Sequence, residues 1–160
     1  MKRIFAIVGV VVMAALMQGV VLAESNPFIG TWKMNAEKSK FSPGPAPKSL
    51  TITMEAAGDG VKSTSQATGA DGTSTSWSYT ANYDGNDNPI TGTGVPGAAD
   101  TVTLRRINVN KTELTLKKGG QVVRTAWLVV FKDGKVLKII AKGKDVDGKP
   151  SKVGLVLDKQ

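Results

Sequence analysis

The stretch Asn26 to Lys48, NPFIGTWKMNAEKSKFSPGPAPK, decides how this chain is read. It opens on Gly30-Thr31-Trp32 and closes in a proline-rich run. A glycine, one spacer and a tryptophan at the start of a first strand suit the closed end of a small antiparallel barrel. The glycine permits a close approach and the indole fills the floor, so Gly30 and Trp32 are the expected plug. After them, Asn35-Ala36-Glu37-Lys38-Ser39-Lys40 offers an N-cap residue followed by helix formers, which predicts one short helix. Ser42-Pro43-Gly44-Pro45-Ala46-Pro47 then has little capacity for regular hydrogen bonding and reads as an extended surface connector.

The walls come from the rest of the chain. Leu50, Ile52 and Met54 alternate with Thr51, Thr53 and Glu55, the pattern of a half-buried strand, and Gly58-Asp59-Gly60 turns it. Val61 to Thr68 is a polar, weaker strand. From Thr73 to Tyr83 the alternation is clearest: Thr73, Thr75, Trp77, Tyr79, Ala81 and Tyr83 share one face, with serine, threonine and asparagine on the other. Asp84 to Asp100 is loop-rich, with a short strand at Pro89 to Gly92. Further strands are expected at Thr101 to Asn108, Thr112 to Lys117, Gln121 to Phe131, Lys135 to Gly143 and Lys152 to Asp158. Hairpin-length turns separate them.

Eight to nine short antiparallel strands with one short helix predict an all-β up-and-down meander barrel, because closure removes the edges of the sheet. A two-sheet sandwich is the alternative. Val122 to Phe131 is apolar on both faces. A two-residue Asp133-Gly134 turn sets Val130, Leu128 and Ala126 opposite Leu137, Ile139 and Ala141, whereas a three-residue turn brings Phe131, Val129 and Trp127 there instead. Either register leaves an apolar patch outside, to be covered by the short helix or proline loop or used by a partner; self-association through 122–131 is one such use.

Residues 1–23 carry Lys2 and Arg3, an apolar run from Ile4 to Met17, and Val21-Leu22-Ala23 at a small-residue cleavage position. That is the pattern of a signal peptide; a membrane-spanning anchor is the competing interpretation. The expected product is 24–160, one barrel domain, secreted or periplasmic, with no cysteine to accept a lipid anchor. The 160-residue chain contains neither cysteine nor histidine. Those absences remove disulfides and most metal-ligand and nucleophile–base arrangements, so neither catalysis, a cofactor nor a metal is expected.

Charge is unevenly placed. Residues 24–100 carry 5 basic and 8 acidic side chains, and residues 101–160 carry 14 and 5. Lysines scattered among strands and turns mostly keep outward faces soluble; an anionic partner is the alternative. No glycine-rich phosphate loop joins a strand to a helix, and no nucleic-acid partner is expected. Asp84-Gly85-Asn86-Asp87-Asn88 and Asp145-Val146-Asp147-Gly148 have the opening of calcium loops but lack the glutamate at the twelfth position, and read as Asx turns.

Phe28-Ile29-Gly30-Thr31-Trp32-Lys33 resembles the opening strand of the lipocalin and fatty-acid-binding group, and avidins open in a related way. Gly30 to Phe41 with Pro43-Gly44-Pro45 and Pro47-Lys48-Ser49 resembles secreted bacterial lipocalin-like proteins. So do Tyr83-Asp84-Gly85, Pro89-Ile90-Thr91-Gly92 and Asp133-Gly134-Lys135. The resemblance implies a barrel with a basic residue packed over the first tryptophan; Arg106, Arg124, Lys152 and Lys159 are candidates. The chain departs from fatty-acid-binding proteins in having no room for a helix-pair lid and no arginine and tyrosine in its last strand.

The expected function is non-catalytic binding of a small apolar or amphipathic ligand. Trp77, Tyr79, Tyr83 and Trp127 are the candidate pocket lining, and Arg106 and Arg124 the candidate carboxylate partners. The alternative is a filled barrel acting as an envelope or extracellular interaction module through its basic or apolar outer surface. A third reading is a carboxylate-dependent enzyme in the barrel mouth, against which the acidic residues sit almost entirely in turns.

Overall fold

A computed structural model describes residues 25–131 and 133–160; the expected signal peptide, 1–23, lies outside the described residues. The strands are β1 (Gly30–Met34), β2 (Lys40–Ser42), β3 (Ser49–Ala57), β4 (Gly60–Thr68), β5 (Ser74–Asn82), β6 (Asn88–Gly92), β7 (Thr101–Asn108), β8 (Lys111–Lys118), β9 (Gln121–Val130), β10 (Val136–Lys144) and β11 (Pro150–Lys159). Each pairs antiparallel with its neighbour in the order β1-β3-β4-β5-β6-β7-β8-β9-β10-β11, and β11 returns to β1, with Trp32 opposite Lys159 and Met34 opposite Leu157. The sheet is therefore a closed up-and-down barrel of ten strands, with β2 as an eleventh piece on β11.

Two expectations need correcting. The strand count exceeds eight to nine, because β6 is a full barrel member between β5 and β7 and Lys40–Ser42 forms a strand of its own. The short helix predicted after the first strand is absent; the helical structure among the described residues is a 3-10 turn at Pro96–Ala98. The reason is topological. β1 and β2 both lie against β11, with Met34 opposite Leu157 and Phe41 opposite Val153, so the chain between them must loop out and rejoin the same neighbour. Five residues are too few to propagate a helix. Instead the Asn35 amide donates to the Val156 carbonyl (2.8 Å), and Ser39 Oγ accepts from the Val156 amide (3.0 Å) while donating to the Asn35 carbonyl (2.7 Å). A side-chain hydroxyl thus stands in for the missing ladder partner.

Trp32 is fully buried and its indole donates to the Phe28 carbonyl at 2.8 Å. Around it Phe28, Val61, Ala81, Val102, Leu104, Val130, Leu137 and Leu157 fill the barrel at this end. Lys159 Nζ lies 5.1 Å from the Trp32 ring centroid, which selects Lys159 from the four basic residues the resemblance offered. At the same end the Asn26 amide donates to the Tyr83 hydroxyl (3.0 Å) and Arg106 stacks 3.8 Å from the Tyr83 ring centroid, tying the incoming segment to the wall.

The β9–β10 register sets Val130, Leu128 and Ala126 opposite Leu137, Ile139 and Ala141. All six are buried and line the interior. A bulge between β8 and β9 leaves Leu116 opposite Arg124 but Lys117 opposite Val122. It turns Val122 outward, 60% exposed, while Arg124, 8% exposed, keeps the inward parity of Ala126 and Leu128. Ile140, Phe131 and Val122 remain exposed on the outside.

Candidate functional site

The half of the barrel away from Trp32 is hollow. A cavity of about 820 Å³ is walled by Leu50, Ile52 and Met54 of β3, Trp77 and Tyr79 of β5, Leu114 and Leu116 of β8, Ala126 and Leu128 of β9, Ile139 and Ala141 of β10, and Val153 and Leu155 of β11. Its mouth is ringed by Pro43, Gly44, Pro45 and Pro47, by Gly69–Asp71, by Gly94 and Pro96, and by Asp145–Asp147 with Lys149. The proline-rich run is thus a rim of the cavity, with Phe41 just inside it. It does not cover the exposed Ile140 on the outer wall.

Of the candidate residues, Trp77, Tyr79 and Arg124 line this cavity. Tyr83 and Arg106 lie at the filled end, stacked on each other. Trp127 lies on the outer face of β9, where its cross-strand neighbours are Glu113 and Ile140. The cause is strand parity: once Ala126 and Leu128 point inward, the tryptophan between them must point out.

Trp77 and Tyr79 sit two residues apart on β5 with ring centroids 5.9 Å apart and planes inclined by 29°. They form one aromatic wall. Tyr79 is buried, and that burial pushes its hydroxyl pKa up to about 12, with the neighbouring Ser63 hydroxyl working against it. At physiological pH it is a neutral donor and acceptor.

Arg124 is the buried cation of the cavity. Its Nη1 donates to the Lys144 carbonyl (2.6 Å) and to Ser151 Oγ (2.9 Å). Nε and Nη2 have no protein acceptor among the described residues, so the guanidinium keeps donors for something else. Burial lowers its pKa, and nearby Asp145 opposes the shift. Gly143 lies opposite Arg124 in the register, with φ 141°, and a Cβ built there would fall 2.5 Å from Arg124 Cα. A residue with no side chain is what lets the arginine backbone seat against β10.

Sequence reasoning left out Ser63, Ser65 and Ser151. They are 2%, 5% and 8% exposed, and all three line the cavity. The available clue was the run Val61, Ser63, Ser65, Ala67 on one face of β4. Small residues there face large ones on β5 across the hairpin, Ser63 opposite Tyr79 and Ser65 opposite Trp77. The two aspartate turns are held by Asx hydrogen bonds, from the Asn86 amide to Asp84 Oδ1 (2.9 Å) and from the Asp147 and Lys149 amides to Asp145 Oδ1 (3.0 and 2.9 Å). Among the described residues no group of three or more acidic side chains is gathered to hold a metal ion. In comparisons with known proteins, no family model matches the chain and no curated protein matches it in sequence.

Proposed function

We propose that this protein binds one small amphipathic molecule inside the open half of its barrel, without catalysing a reaction on it. The apolar body lies against Leu50, Ile52, Leu114, Leu116, Leu155 and the Trp77–Tyr79 wall, and a polar or anionic end meets the free donors of Arg124. One observation carries this reading: a mostly apolar cavity of about 820 Å³ that contains a buried guanidinium with unused N–H groups. Ligand sites run to about 300–1,000 Å³ and combine an apolar lining with a few placed polar groups. A buried arginine with open donors is costly unless an acceptor comes to it.

The finer likeness to lipocalin-type carriers is part of the same proposal. It is supported by the closed antiparallel barrel and the Lys159–Trp32 contact. The rival, a filled barrel acting through its outer surface, accounts for the packed half around Trp32 but gives the lined cavity no role. In keeping with the leader-like start of the chain, the ligand would be met outside the cytoplasm.

Native mass spectrometry of the protein purified from its own host, followed by extraction of what is bound, tests the proposal. A stoichiometric amphipathic small molecule is the expected result. An empty protein that also fails to take up fluorescent fatty acids overturns it.

A further inference from the structure

We infer that the ligand carries a hydrogen-bonding oxygen within its apolar body, in addition to its polar end, and that Ser63, Ser65 and Tyr79 select for it. This rests on the ligand-binding reading above and narrows the ligand class. The cavity has two polar places. One is Arg124 with Ser151, on the wall formed by β9 and β11. The other is on β4 and β5, where Ser63 faces Tyr79 and Ser65 faces Trp77 across the ladder.

The second place is what a plain hydrocarbon chain does not explain. Ser63 and Ser65 are 2% and 5% exposed and line the cavity. Among the described residues Ser65 Oγ makes no hydrogen bond to protein, while the Ser63 hydroxyl neighbours the Tyr79 hydroxyl and works against the rise in its pKa. Three hydroxyls gathered on an apolar wall of the cavity, Ser65 Oγ without a protein partner beside the neighbouring Ser63 and Tyr79 hydroxyls, form a subsite for an oxygen. Alanine at 63 and 65 would fill the same space without polar atoms, so a cavity meant only for methylene groups gains nothing from serine. The stacked Trp77–Tyr79 pair on the same wall adds a flat surface, which suits an unsaturated or ring-bearing segment around that oxygen. A saturated unsubstituted chain leaves these hydroxyls facing hydrocarbon, and polar groups left unpaired in this way are what lets a site reject a ligand.

The test compares a saturated long-chain carboxylate with its hydroxy and keto derivatives, substituted at successive mid-chain positions, by displacement of a fluorescent fatty acid from the full protein. The expected result is that at least one mid-chain derivative binds about tenfold or more tighter than the plain chain. In the Ser63→Ala/Ser65→Ala double variant that preference collapses while affinity for the plain chain holds or rises. Tyr79→Phe, which keeps the ring, reduces the preference in part. If the plain chain binds the wild-type protein as tightly as every derivative, or if the double variant keeps the preference, this inference is overturned and the ligand-binding reading stands. If neither the plain chain nor any derivative displaces the probe, both are overturned.

Discussion

Lys159 and Trp32 pack as one unit, the ammonium 5.1 Å from the indole centroid and the Lys159 stem lying where a Cβ at residue 30 would need to be. Gly30 has φ 139°, and a Cβ built on it would fall 2.6 Å from Lys159 Cε. Lys159 also sits opposite Trp32 in the β1–β11 pairing that closes the barrel. Floor, closure and glycine are therefore coupled. Gly30→Ala is expected to cost about 1–3 kcal/mol, from strained backbone and a displaced lysine. Lys159→Ala is expected to cost only about 0.5–1 kcal/mol, the range of an exposed cation–π contact. Urea denaturation of the two variants checks the ranking. In the double variant, a combined loss smaller than the sum of the two would show the coupling.

Tyr79 supplies a pH dependence. Its folded-state pKa is pushed up to about 12 by burial, from an ordinary value of 10.0. The unfolded chain therefore releases this proton first. The contribution to stability is fully present below pH 10 and is lost as pH rises from about 10 through 12. In that window stability should fall by up to about 1.4 kcal/mol per pH unit from this group. Tyr79→Phe should flatten the fall. Phenolate absorbance gives a direct check, since the chain has two tyrosines: one of them should ionise near pH 12 in the folded protein.

Much of this barrel was legible in the sequence because strand alternation and hairpin turns are local. Thr73 to Tyr83 reads as a two-faced strand from its alternation alone, and Trp77 and Tyr79 lie on the cavity wall. Two physical facts were hidden. The first is long-range competition: Asn35 to Lys40 has helix-forming residues, but the open Val156 amide and carbonyl of β11 claimed Ser39 and Asn35. The second is parity. Val122 to Phe131 is apolar on both faces, so nothing local says that Arg124, Ala126 and Leu128 face in and Trp127 out, or that a bulge beside Val123 turns Val122 outward. The inward serines of β4 escaped for a related reason, since small polar side chains look like an exposed face until their aromatic partners on β5 are in place.

Tryptophan emission separates the three indoles by position. Trp32 is sealed in the floor, Trp77 lines the cavity, and Trp127 lies on the outer face. Addition of oleate should change the emission of the wild-type protein and of Trp127→Phe. Trp77→Phe should lose most of that change. A response that survives Trp77→Phe and disappears in Trp127→Phe would place the oleate on the outer wall near Ile140 and count against the cavity.

Arg124 has two roles that can be told apart. Through Nη1 it anchors the Lys144 carbonyl and Ser151 Oγ, which hold the start and end of the β10–β11 turn at the mouth. Through Nε and Nη2 it offers open donors to the cavity. If only the anchoring mattered, Arg124→Gln would loosen the mouth and weaken oleate and oleyl alcohol alike. If the open donors meet the ligand's anionic end, oleate should weaken by at least about tenfold while oleyl alcohol is unchanged, because a charge-assisted contact is lost for only one of them. Gly143→Ala gives an independent check. Its new Cβ would press on the Arg124 backbone, 2.5 Å from Cα, and on the Val123 carbonyl, 2.3 Å away. Backbone cannot yield as a flexible side chain can, so the guanidinium should be displaced without losing its charge. Displacement titrations with both probes should then show oleate weakened in Gly143→Ala as in Arg124→Gln, and oleyl alcohol much less affected.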